Sequence, residues 1–177
     1  MANVFESLDL LRERLVDVRA RLPTFPPGSV GNAVFSTGRY YQQDVRLHFD
    51  PALTQNIRTW LSAAGRWVNE AAVVFLIATL LDHGVLKDSE AHRRDVEGHE
   101  HVSIARTLRS ITLKEGGPYK PEEPHHRKNM EMLTTLYGVP SSDSAFPLDI
   151  DTVIVPMIDG CRRYAEACIA AGQEEAR

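Results

Sequence analysis

The chain has 177 residues, 43% of them hydrophobic and 25% charged, with a formal net charge of −4. That length and balance are those of a single globular domain with enough chain to bury a core. The negative charge excludes a protein that coats DNA or anionic membrane nonspecifically, so any nucleic-acid contact needs a local basic patch.

Cys161 and Cys168 lie seven positions apart in an expected helix, about 10 Å of axial rise and beyond disulfide reach. They read as small core residues of a reducing compartment. The opening MANVFESLDLLRERL mixes acids with short apolar steps and lacks a secretory apolar core, so a cytoplasmic location is expected.

Val4, Leu8, Leu11, Leu15, Val18 and Leu22 recur at spacings of four and three, a seam of nearly three heptads that predicts a first helix. The seam suits either a dimerising helix or one packed on its own domain. Pro23 ends it, and Pro26, Pro27 and Gly28 keep the following chain out of a helix. Val45, Leu47 and Phe49 alternate with Asp44, Arg46 and His48, a period of two that predicts a strand; Val34 and Phe35 supply a partner, giving a small β-hairpin near residues 30–49.

Asp50 and Pro51 make a helix start, and helical spacing runs from there to Asp82. Within it the stretch Ala71 to Leu81, AAVVFLIATLL, is apolar all round apart from Thr79. Such an element has no solvent face and belongs among other helices. Eleven residues flanked by Arg66, Glu70 and Asp82 are too few to span a bilayer, so no membrane partner is expected.

Gly84 caps this helix, and the next is expected from Asp88 or Ser89 to Gly116 and Gly117. Ile104, Leu108 and Ile111 would face the core, with His92, Asp95, His99, Arg106 and Arg109 on the opposite side. A proline-punctuated loop through His126 precedes a short helix carrying Met130, Leu133, Leu136 and Tyr137. A last helix, capped by Asp149 or Asp151, buries Ile150, Val153, Met157, Cys161, Tyr164 and Cys168; Pro156 and Gly160 inside it predict a kink or a late start. The whole reads as an all-α single-domain bundle of five to six helices.

Two clusters carry possible chemistry. On a continuous helix, His92, Asp95 and His99 would share one face at metal-ligand spacing, with His125 or His126 as outside donors; a charged solvated face accounts for the same residues. Arg94, a polar residue, three more and then His99 place a cation beside a base. A histidine can take the proton of a ribose 2′-hydroxyl while an arginine stabilises the developing phosphate charge, with neither metal nor cofactor required.

The stretch Leu108-Arg109-Ser110-Ile111-Thr112-Leu113-Lys114 with its glycine stop, set after a central apolar helix and before a short and a closing one, resembles the HEPN superfamily, the helical domains of many prokaryotic toxins and defence ribonucleases. The resemblance covers about residues 51–171, with the N-terminal heptad helix at 1–22 outside it. In that family the helix ends Leu-Arg-Asn-x-x-x-His; here Lys114 stands near the place of the histidine, a poor proton acceptor at neutral pH but able to hold a phosphate.

The resemblance implies a homodimer with two motifs facing one cleft. It also implies an RNA or a partner protein as ligand, in a toxin or defence setting. The working residues would be Arg94 with His99, or Arg109 with Lys114 in a degenerate site. The rival is a noncatalytic interaction module in which Arg109 merely pairs with an acid such as Glu70.

Overall fold

A computed structural model describes residues 3–21, 32–36, 44–48, 51–88, 90–116 and 118–175; of 21, 32–36, 44–48, 51–58 and 173–175 it describes the backbone only. Asp50, Ser89, Gly117 and the prolines between 22 and 31 lie outside these residues. Five α-helices dominate: α1 (Val4–Arg21), α2 (Pro51–Asp82), α3 (His99–Glu115), α4 (Pro124–Tyr137) and α5 (Val155–Glu175). A π-helical turn, Ile150–Ile154, leads into α5. The all-α class read from the periodicity is the class of the structure.

The chain divides into two units, residues 13–68 and residues 1–12 with 69–177. In the first, β1 (Asn32–Ser36) and β2 (Asp44–His48) pair antiparallel, with Val34 opposite Arg46. In the second, α3 packs on α5 and α4, and α4 and α5 both meet the π turn. Its core takes Ala72, Val73, Leu76, Ile77 and Leu80 from α2, Val102, Ala105, Leu108 and Ile111 from α3, and Met157, Ile158, Cys161 and Tyr164 from α5.

The first turns of α1 join this core through Val4 and Leu8. Asp9 pairs with Arg162, and Arg12 with Asp159 at 3.7 Å. The start of the heptad seam is therefore spent inside the chain, while Val18 further along is exposed. Asp149 caps the π turn, its carboxylate accepting from the Asp151 and Thr152 backbone N–H groups at 3.0 and 2.9 Å.

Two sequence expectations are corrected. The apolar run 71–81 is not enclosed all round among the described residues, because Phe75 is 61% exposed; Thr59–Asp82 is, by length and composition alone, long and apolar enough to cross a membrane. And α3 begins at His99, about ten residues late. Gly98 precedes it with φ 80°, and a side chain there would fall on the backbone of Gly160 and Tyr164 in α5. Gly160 in turn leaves room for the His101 ring. The glycines serve this close α3–α5 crossing, and Gly160 makes no break in α5.

Candidate functional site

The late start of α3 rearranges the first cluster. His92, Arg94 and Asp95 lie in an irregular segment, so His92, Asp95 and His99 do not share a helical face. Arg93 takes up Asp95, with Nη2 to Oδ2 at 2.7 Å, which leaves that carboxylate engaged and held below its ordinary pKa by the guanidinium. His92 Nε2 is buried without a hydrogen-bond partner. Burial, then the charges of Arg106, Arg94 and His99, push this imidazole down toward its neutral form. His99 sits at the first position of α3 with Nε2 3.2 Å from Glu100 Oε1, and Arg94 is exposed.

Arg109 and Lys114 come together elsewhere, along the solvent side of α3. With Arg106, Thr107, Ser110, Leu113 and Asp88 they line a groove of about 530 Å³. Helical spacing explains this: positions 106, 109, 110 and 113 lie on the face opposite buried Ile104, Leu108 and Ile111, with 114 at its flank in the last turn. Arg106 donates to the backbone carbonyls of Glu90 and Asp88 at 2.9 and 3.2 Å, latching that segment across the helix. The acid that pairs with Arg109 is Asp88, at 3.2 Å, and not the expected Glu70. Lys114, in the last turn and exposed, has no charged partner within reach among the described residues. Three cations face one carboxylate, whose side chain is 75% exposed. The groove suits an anion that exchanges with Asp88 on Arg109.

Sequence reasoning missed a second polar cluster, at the corner between α3 and α4. Glu115 lies 2.9 Å from His125 Nε2, 3.0 Å from His126 Nε2 and 3.4 Å from Lys120 Nζ. These contacts, His125 first, hold its carboxyl down at about 2. The three side chains lie close enough to share a cation. Protons argue against it. The Lys120 backbone N–H donates to His126 Nδ1 at 3.0 Å, so in the neutral ring Nε2 carries the proton and donates to Glu115. A metal on Nε2 would force Nδ1–H against that N–H. The cluster therefore ties α4 to α3 around a fully buried His126, and only the tertiary fold brings residues 115 and 125–126 together.

Comparison of the chain with protein-family models, with curated proteins and with solved structures gave no match. What fold and site define is thus a class and no more: a helical protein with a cationic groove along one amphipathic helix.

Proposed function

We propose that this protein is a noncatalytic, HEPN-like helical module that binds the phosphate backbone of RNA in the α3 groove. The observation that carries this is the convergence of Arg106, Arg109 and Lys114, with the hydroxyl of Ser110, on one open trough. Arginine and lysine hold phosphate oxygens as charge-assisted donors, and serine adds a neutral one. Cleavage would also need a proton acceptor beside the bound phosphate. His99 lies ten residues before Arg109, about 15 Å along the helix axis, and faces Glu100. Lysine at 114 favours binding over proton transfer.

Fluorescence anisotropy with single-stranded RNA in EDTA tests this. Affinity should fall with rising salt, and Arg109→Ala should weaken binding and reduce the logarithmic salt slope by about 0.7, one phosphate contact on a single strand. The RNA should emerge uncut, and His99→Ala should bind as tightly as the parent. Unchanged affinity in both Arg109→Ala and Lys114→Ala would refute the groove. Cleavage in EDTA that is lost in His99→Ala would establish the ribonuclease instead.

A further inference from the structure

Where α1 begins, it meets the turn that ends α2, and a cavity of about 420 Å³ opens between them. Every residue around it belongs to the unit of residues 1–12 and 69–177. Both supports are firmly built. The backbone N–H groups of His83, Gly84 and Val85 donate to the carbonyls of Thr79, Leu81 and Leu80 at 3.2, 2.9 and 2.9 Å. Gly84, with φ 71°, supplies the left-handed residue that such a helix stop requires. On the other side, Val4 and Leu8 are buried and anchor the start of α1.

From these supports Ser7 and His83 reach each other, Oγ to Nε2 at 2.9 Å. A hydroxyl bonded to an imidazole nitrogen is the pairing that makes serine a nucleophile, because the ring takes the proton as the oxygen attacks. Val4, Phe5, Val85 and Ile169 give the cavity beside His83 apolar walls. Its described lining holds no Asp, Glu, Lys or Arg. A neutral aliphatic group suits such walls, whereas a charged one would lose its hydration without gaining a partner. Donors belong to the same lining. Asn3 Oδ1 accepts the Glu6 N–H at 3.0 Å, which leaves the Asn3 amide NH2 without a protein partner among the described residues. The N–H groups of Val4 and Phe5, in the first turn of α1, have no carbonyl to bond within the helix.

We infer that Ser7 and His83 are a nucleophile–base pair that hydrolyses neutral esters of short aliphatic acids, with the acyl chain in this cavity. Ser7 Oγ attacks the ester carbonyl while His83 Nε2 takes its proton, and the carbonyl oxygen becomes an oxyanion that such donors stabilise. Collapse breaks the bond to the alcohol oxygen, which leaves with the proton from His83, and the acyl group stays on Ser7. Water then attacks that acyl carbon and gives its proton to His83. Ser7 Oγ departs, recovers the proton, and the carboxylic acid is released. Among the described residues no acid holds His83 Nδ1, so the pair is a dyad and its turnover is slow. The cavity shares no residue with the α3 groove, whose want of a base concerns RNA alone.

Reaction of the full chain with 4-nitrophenyl butyrate, followed by peptide mapping in a mass spectrometer, tests this. Nitrophenolate should appear in a burst of about one equivalent per chain and then in a slower steady release. The butyryl group should be found on Ser7, as should the phosphonyl group of a fluorophosphonate probe. Ser7→Ala and His83→Gln, checked for helicity by circular dichroism, should lose the label and slow the burst at least about 100-fold, the lower end of what a positioned base contributes. The anionic 4-nitrophenyl hemisuccinate should react at least about tenfold more slowly than the butyrate, for want of a partner to its carboxylate. An unlabelled chain overturns the pair, as does butyryl on Cys168 or a lysine with Ser7 untouched. A Ser7→Ala variant that reacts as fast as the parent overturns it too, and the mapping on the parent protein needs neither variant to fold.

Discussion

Replacing Gly98 by alanine probes the contact that sets where α3 begins. Two costs combine. The first is conformational: φ is 80° there, and an L-residue in the left-handed region costs roughly 1–2 kcal/mol. The second is steric, since the new Cβ would overlap the Gly160 carbonyl oxygen and press on the Tyr164 nitrogen. Both obstacles are backbone and cannot rotate away, so α3 and α5 must part. Overpacking of this kind costs typically 1–3 kcal/mol.

Gly138 isolates the first cost: it caps α4 with φ 66°, and a Cβ added there would meet nothing within 4 Å. Gly138→Ala should therefore lose roughly 1–2 kcal/mol and Gly98→Ala roughly 2–5 kcal/mol, measured as urea midpoints with unchanged m-values. Equal losses, within about 0.5 kcal/mol, would mean that the two helices do not cross this closely.

Acid should destabilise the fold in two windows. Burial, with Arg163 assisting, holds His101 below its ordinary pKa of 6.5, so its stabilising contribution is complete above pH 6.5 and falls away as protons bind the unfolded chain below it. The slope is at most about 1.4 kcal/mol per pH unit for one proton, and smaller for a ring that keeps some solvent; His101→Gln should flatten it in urea titrations at pH 5 and 7, and an unaltered slope would contradict this. Below pH 4.5 a second loss should follow as the unfolded chain protonates Glu115, whose folded carboxyl titrates at about 2; Glu115→Gln should remove that acid limb. In the groove, Asp88→Asn should tighten RNA binding by releasing Arg109. It should change the urea midpoint little, because exposed ion pairs contribute only about 0–1 kcal/mol; weaker binding would count against the groove.

The segment before α3 shows where local pattern misleads. His92, Asp95 and His99 have helical spacing, yet Gly98 and the crowding around it by α5 start the helix only at His99. Spacing carries no information about a backbone on another helix, so a candidate metal face dissolved while Arg109 and Lys114, both within the regular part of α3, stayed on one groove. The Glu115–His125–His126 corner illustrates the reverse. Its residues bear no local relation, and a loop closing on itself joins them.

By itself the sequence determined which stretches are helical and where α3 and α4 stop, because apolar periodicity, Asp149 as a cap and the glycine stops act within one or two turns of chain; where α3 starts it left to the packing on α5. It determined also that α3 presents cations away from its core. Only the tertiary structure decided which acid meets Arg109, how closely α3 approaches α5 and which side of α2 stays open. Those depend on surfaces far apart in the chain, where the packing of backbone and side chains, and no local propensity, sets the distance.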